Sequence, residues 1–352
     1  MLAGVAGQTI PAELRSLARE FDLGGIVLSA RNVAEPAQVA DLAREAQELS
    51  RTAPVWVGID QDGGGVSRVK APLTEWPPAA ALGHADDLSL TSRFGRAWAR
   101  ELRAMGITLD FGPVLDVRTR RDNAATDDRA LAADPAVVAR HGVALIEAFH
   151  AQGLPACARH FPGQGEATVG SPDDLPIADL PPDRLERVEW VPFEAAIAAG
   201  VDAVMSGHLL VPSLDDEHPA TLSREIIAGR LRGALGFGGL VVTGDMDMTA
   251  ISLRFSPGEA AGAALAAGCD AILQGGGDVD RIAAALEGIV RALEAETLSP
   301  TRVDDALRRH AGVKARYLSD EARRTAPAAP SLREVIGSAE HALVAEQMRQ
   351  FA

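Results

Sequence analysis

Arg159 and His160 stand side by side directly after an apolar run, Leu154 to Ala158, and a Pro-Gly, Gly-x-Gly loop (Pro162, Gly163, Gly165) follows them. An arginine supplies a planar fork of donors, and a histidine donates, accepts or carries a proton near neutrality. Comparable groups recur beside or soon after other apolar runs: Asp60 and Arg68 in Asp-Gln-Asp-Gly-Gly-Gly-Val-Ser-Arg, then Asp116, Arg129, His208 and Asp245. Carboxylates accept from paired hydroxyls and guanidinium groups donate to them, so this set suits a hydroxyl-rich ligand. Each residue also has a plainer reading. The glycines can serve only tight turns. Asp60 can cap a helix. Asp116 and Arg129 can form a buried ion pair that holds a loop. A lone strand-end histidine is more often a satisfied core residue than a ligand, but two of them near carboxylates point to a pocket.

Other chemistries find less support. Metal-dependent hydrolases need several converging His and carboxylate ligands. Neither Leu2–Gly7 nor Gly25–Arg31 holds a histidine, and the chain has no H-E-x-x-H or C-x-x-C. No metal is expected. A net charge of −15 repels phosphates and argues against a nucleic-acid partner. Cys157 and Cys269 lie in or beside apolar runs and read as buried free thiols, with no demand for an oxidising compartment. The amino terminus lacks a basic signal-peptide start, and no apolar run reaches the roughly 18 residues of a membrane span. The expectation is a cytoplasmic protein without a membrane partner.

The elements that must position these side chains alternate along the chain. Strands are expected at Leu2–Val5, Gly25–Leu28, Val55–Ile59, Ile107–Phe111, Leu154–Ala158, Ala203–Met205, Leu240–Thr243 and Ala271–Leu273. Amphipathic helical segments fall between them, from Ala12–Phe21 to Val279–Ala295. Hydrophobic residues make up 47% of the chain, enough for a large core. Repeated strand–helix units with apolar, non-alternating strands predict an α/β fold of the (β/α)8 TIM-barrel type, with functional side chains at the C-terminal strand ends. A doubly wound open sheet is the runner-up, weakened because no G-x-G-x-x-G follows the first strand. Residues 1–320 are expected to form this single domain. Residues 321–352 read as a Pro/Ala-rich linker (Ala322 to Ser331) and one C-terminal helix (Leu332 to Phe351).

The stretch Arg159–Pro176 resembles the signature K-H-F-P-G-H-G-D-T-x-x-D-S-H-x-x-L-P of glycoside hydrolase family 3, in its β-N-acetylglucosaminidase branch. His160, Phe161, Pro162, Gly163, Gly165, Ser171, Leu175 and Pro176 match, and Arg159 replaces the lysine. Asp60–Arg68 resembles D-Q-E-G-G-x-V-x-R, Asp110–Val117 resembles N-F-A-P-V-L-D-V, and Asp127–Leu131 resembles G-D-R-S-F. Met205–His208 resembles M-T-A-H, and Pro219–Ser223 matches P-A-T-L-S, with Thr221 or Ser223 available to cap the next helix. The resemblance spans roughly residues 1–320. It implies a barrel that takes a small carbohydrate without a cofactor, with Asp60, Arg68, Asp116, Arg129, Arg159, His160 and His208 holding the sugar.

Departures fall on the reacting positions. In S/T-D-x-x-x-M the family nucleophile aligns with Gly244, and Asp245 follows one place later as a displaced candidate. The acid/base pair aligns with Gly170 and Pro172, and Gln164 replaces a histidine. Glu166, Asp173 and Asp174 are nearby carboxylates available as a substitute acid. The expected function is β-N-acetylhexosaminidase-type hydrolysis or binding of O-glycosides of N-acetylglucosamine. The alternatives are an impaired sugar-binding pseudoenzyme and a barrel for a different, phosphorylated sugar. The last would use Gly275–Gly277 and the following helix N-terminus, where Asp278 otherwise reads as a cap.

Overall fold

Short runs of apolar residues form eight parallel strands: β1 (Leu2–Gly4), β2 (Gly25–Leu28), β3 (Trp56–Ile59), β4 (Leu109–Asp110), β5 (Cys157–Phe161), β6 (Ala203–Ser206), β7 (Leu240–Asp245) and β8 (Ala271–Gln274). The computed structural model describes residues 1–352 apart from 51, 121–122, 124–125, 127, 169–173 and 326. Neighbouring strands follow the order β4-β3-β2-β1-β8-β7-β6-β5. Between β4 and β5 the seam is bridged by the segment after β4. Cys157 N donates to the Gly112 carbonyl at 2.8 Å, Arg159 N to Pro113 at 3.1 Å, and Leu115 N to the Arg159 carbonyl at 2.6 Å. The sheet is therefore a nearly closed (β/α)8 barrel.

Both faces of the strands are covered, which is why the runs do not alternate in polarity. Leu2, Trp56, Phe111, Met205, Val242 and Leu273 belong to one interior cluster. Ala3, Ile26, Val57, Val204, Val241 and Ile272 face outward into the larger cluster shared with the helices. The helix Pro300–Leu318, started by a cap from Ser299 to Arg302 N, sends Val313, Tyr317 and Leu318 into the interior cluster and closes the N-terminal end of the barrel.

Several expected elements differ from those observed, and the fourth strand is only Leu109–Asp110 rather than Ile107–Phe111. The fifth strand starts at Cys157 rather than Leu154, and it contains Arg159 and His160 rather than ending before them. Leu154 N donates to the Phe149 carbonyl, Pro155 has no N–H and Ala156 N donates to the Asp202 carboxylate, so the stretch meets the ladder only through the Ala156 carbonyl, which accepts from Ala203 N at 3.0 Å. The seventh strand continues through Gly244 and Asp245. Its register shifts between Val242 and Asp245, and the Thr243 hydroxyl there accepts from Leu273 N at 2.9 Å. The C-terminal helix is two helices, Leu332–Val335 and Ala339–Arg349, separated at Gly337 with φ 67°. The start of the expected linker is taken up by the helix Asp320–Thr325. Val335, Val344, Ala345 and Met348 join the main core cluster, so the tail packs on the barrel.

Candidate active site

The loop after β3 and the strand β5 build the centre of the mouth. Arg159, on the same face as the interior residue Cys157, is only 2% exposed. Its guanidinium pairs with Asp60 Oδ1 at 2.5 Å and also with Asp62. Arg68 reaches Asp60 Oδ2 at 3.0 Å, and Arg129 Nε reaches Asp62 Oδ2 at 2.8 Å. Burial acts to raise the Asp60 carboxyl, but Arg159, Arg129 and Arg68 outweigh it and hold it well below the usual carboxylate range. The Nε atoms of Arg159 and Arg68 are buried and have no hydrogen-bond partner among the described residues.

Behind this cluster, burial pushes the Asp110 carboxyl well above its ordinary value, helped by the neighbouring charge of Asp62. Trp98 Nε1 donates to Asp110 Oδ2 at 3.0 Å. Asp116 pairs with His160 Nδ1 at 2.8 Å and accepts the Gln164 amide at 2.9 Å. Burial works against the Asp116 charge, yet His160 and the Gln164 amide keep the carboxyl below its ordinary value. Burial also lowers the His160 pKa, so the imidazole is neutral and donates its Nδ1–H to Asp116 as a hydrogen bond. The Gln164 side-chain amide lies 3.0 Å from the same nitrogen. The ion pair that Asp116 and Arg129 could have made is absent among the described residues, because each has a different partner.

His208 follows β6. Its Nε2 lies 3.0 Å from the Asp245 carbonyl, which only accepts, so Nε2 carries the proton. Burial lowers its pKa to about 4, leaving Nδ1 an acceptor 2.8 Å from the Thr221 hydroxyl, which shares its one proton with the Gly207 carbonyl at 3.0 Å. Thr221 also sits 2.9 Å from Ser206 Oγ. Thr221 thus orients His208, while Ser223 receives Ile226 N at 3.2 Å and serves the next helix. A Cβ placed on Gly244 would lie 2.8 Å from His208 Nε2 and 3.1 Å from the Ser206 carbonyl oxygen. The imidazole fills the space that a side chain at 244 would use.

The register shift in β7 pairs Asp245 with Leu273, an interior residue. Asp245 Oδ1 accepts from Gly275 N at 2.8 Å and Asp247 N at 3.0 Å, while Oδ2 has no hydrogen-bond partner among the described residues. Burial raises the Asp245 pKa. Asp247 is engaged by Gln274, Gly276 N and Arg281 at 2.5, 2.7 and 2.5 Å. Asp278 caps its helix, accepting from Asp280 N and Arg281 N. The amides of Gly275 and Gly276 that would cradle a phosphate are therefore already committed to carboxylates.

Comparison with known proteins follows from this geometry. The profile of the glycosyl hydrolase family 3 N-terminal domain matches residues 3–313. The chain belongs to glycosyl hydrolase family 3. A beta-hexosaminidase of Xylella fastidiosa (strain 9a5c) is 38% identical over 279 residues, covering 78% of this chain and 82% of that one. The structure of a family 3 beta-N-acetylglucosaminidase from Paenibacillus sp. str. FPU-7 matches with a TM-score of 0.92 at 36% identity. It covers 99% of this chain, which spans only 66% of that longer one. A beta-N-acetylhexosaminidase from Beutenbergia cavernae DSM 12333 matches with a TM-score of 0.82 at 27% identity, covering 90% of this chain and 96% of that one.

Within the family frame, Asp60, Arg68, Arg129 and Arg159 come together directly, His160 joins Asp116, and His208 abuts Gly244. Gly170 and Pro172, at the acid/base positions, lie outside the described residues, as do Asp127, Ser171 and Asp173. Of the substitute acids, Glu166 accepts from the Thr119 hydroxyl, and Asp174 is exposed. Sequence reasoning passed over Asp62 and Arg31. Asp62 joins Arg129 to Arg159, and its only signal was its place two residues after Asp60. Arg31, after β2, binds the carbonyls of Val5 and Gly275 and brings a cation to a loop that has none of its own.

Proposed function

We propose that this chain binds and slowly hydrolyses O-glycosides of N-acetylglucosamine at the barrel mouth, as a β-N-acetylhexosaminidase-type member of its family. The observation that carries this reading is the Arg159-centred cluster. A buried guanidinium is fixed between Asp60 and Asp62, flanked by Arg68 and Arg129, with donors on Arg159 and Arg68 still unpartnered. Fixed donors and ionised acceptors of this kind suit the vicinal hydroxyls of one sugar ring. The names of the relatives, beta-hexosaminidase and beta-N-acetylglucosaminidase, supply the substrate class. The cytoplasmic setting belongs to the same proposal and is supported by the two buried free thiols, Cys157 and Cys269. Among the described residues no helix is long and apolar enough to cross a membrane.

Glycoside hydrolysis by retention needs a carboxylate at the anomeric carbon and a proton donor at the leaving oxygen. Asp245 is the carboxylate in this reading, and water supplies the proton to the leaving oxygen, which keeps turnover slow. Two amides fix its Oδ1, and its Oδ2 is unbonded. The raised pKa sets a sign: attack needs the ionised form, so turnover falls as pH drops toward and below that pKa. The test is turnover of an aryl N-acetyl-β-glucosaminide, which should be slow in wild type and abolished in Asp245→Ala. Asp247→Ala should matter less, because Asp247 bonds to Gln274 and Arg281. Fast wild-type turnover that survives Asp245→Ala would remove Asp245 from this role.

A binding-only protein is the second reading. It is favoured by one observation, the packing of His208 into the space at Gly244. Calorimetric binding of N-acetylglucosamine with no measurable turnover would select it.

A further inference from the structure

The C-terminal helix touches the site at one remove. His341 and Glu101 are both buried, their side chains 2% and 6% exposed, and His341 Nδ1 donates to Glu101 Oε1 at 2.9 Å. The same carboxylate accepts from the Thr74 hydroxyl at 2.6 Å and from Trp76 Nε1 at 2.9 Å. The Trp76 ring lies against the His341 ring, with centroids 6.1 Å apart. Eight residues after His341, at the last residue of the same helix, Arg349 donates to the Glu75 carbonyl at 3.2 Å. Thr74, Glu75 and Trp76 are thus gripped in succession by residues far away in the chain.

That segment is the floor of the sugar loop. The Trp76 carbonyl accepts from Gly64 N at 3.0 Å. A Cβ on Gly63 would lie 2.7 Å from the Pro77 carbonyl oxygen, so the turn sits directly on 76–77 with no space between. Gly63 and Gly64 adopt φ of 77° and 53°, which lets the chain reverse over this floor. The reversal is closed by Asp62 N donating to the Val66 carbonyl at 2.8 Å. Asp62 then holds Arg129 and Arg159. Any shift of residues 74–77 is passed through a close-packed turn to the carboxylate that orients both arginines.

We propose that the helix Ala339–Arg349 is a positioning element for the Asp60–Arg68 loop, acting through His341, Glu101 and Trp76. The part that concerns sugar affinity rests on the function proposed above; the mechanical part does not. Supporting residues of this kind commonly change ligand affinity by about tenfold when removed, without touching the ligand.

Amide hydrogen exchange on the full chain tests it. In His341→Ala, exchange at Asp62 and Gly64 should accelerate by about tenfold, as expected for a local opening, while the strands of the barrel keep their protection. His341→Asn, which retains a donor, should restore most of the protection. His150→Ala, which removes a bond to Asp202 at the far end of the barrel, should lower the melting temperature and leave residues 62–66 unchanged. Affinity for N-acetylglucosamine should fall in His341→Ala and recover in His341→Asn. Unchanged exchange at 62–66 in folded His341→Ala would overturn the proposal, as would an equal acceleration in His150→Ala. If His341→Ala does not fold, Arg349→Ala should give a smaller acceleration at the same amides, and its absence counts against the proposal equally. A wild type that binds no N-acetylglucosamine would sink the sugar reading while the exchange result still decides the mechanical one.

Discussion

Both ends of this barrel carry buried aspartates surrounded by arginines, yet they are wired differently. At the base, Asp270 is fully buried and accepts from Arg232, Arg302, Arg309 and the Val241 amide. Asp202 there takes the Ala156 amide, His150, the Tyr317 hydroxyl and Arg316. Every partner belongs to an element that must be held in place, above all the helix Pro300–Leu318. At the mouth, Asp60 and Asp62 hold Arg159 and Arg68, whose Nε atoms have no partner among the described residues. The base carboxylates are each shared among several fold-bracing partners, whereas Arg159 and Arg68 at the mouth each keep one buried donor without a partner among the described residues. Buried polar groups without partners cost stability, and two of them meet in the Arg159-centred cluster.

That contrast can be broken most severely at the base. Asp270→Ala leaves three arginines facing each other in a buried site and should cost about 3–5 kcal/mol in denaturant unfolding. Sugar affinity measured well below the midpoint should not change. An equal loss of affinity would mean the two ends are not independent.

The next effect is pH-dependent and belongs to the mouth. His208 is held neutral down to about 4 in the folded chain, against 6.5 for an ordinary histidine. Between these values the unfolded chain takes up a proton that the folded one refuses, so stability falls as pH falls. The full difference corresponds to about 3 kcal/mol. His208→Gln should flatten this part of a stability–pH profile. A profile unchanged by His208→Gln would show that other buried histidines, such as His160 and His310, carry it.

Arg129→Ala should weaken N-acetylglucosamine binding by about 1–3 kcal/mol in calorimetry, with a smaller stability change than Asp270→Ala. Equal affinities would remove Arg129 from the site. Gly244→Asp should destabilise by about 1–3 kcal/mol, because its Cβ would crowd His208, and should not speed turnover. The smallest expected effect is none at all. Phosphate should raise the melting temperature no more than chloride of matched ionic strength, since the Gly275 and Gly276 amides are occupied. A specific rise would show that Asp245 and Asp247 give way to an anion.

The barrel was legible because strands covered on both faces leave a plain signature of short apolar runs. The start of β5 was less so: Pro155, which has no N–H, was a local sign, but the capture of Ala156 N by Asp202, 46 positions on, was not. Arg159, His160 and Asp60 could be singled out from local pattern. The role of Asp62 could not, since its partners lie 67 and 97 positions away and nothing local announces their convergence. Either Thr221 or Ser223 could have been the cap from local pattern; Ser223 takes that place, while Thr221 bonds to an imidazole 13 positions earlier in the same connection. The tail was readable as helical and its break falls at a glycine, but the docking of His341 on Glu101, 240 positions earlier, has no periodic trace.

The packed interior also governs traffic. With Leu2, Trp56, Phe111, Met205, Val242 and Leu273 filling the barrel, and Val313, Tyr317 and Leu318 beneath them, it is a cup rather than a tube. Whatever enters the mouth leaves by the same route. A bound sugar and the next molecule waiting for the site therefore exclude one another, and the depth of the cup above Trp56, Phe111 and Met205 limits how far either can descend.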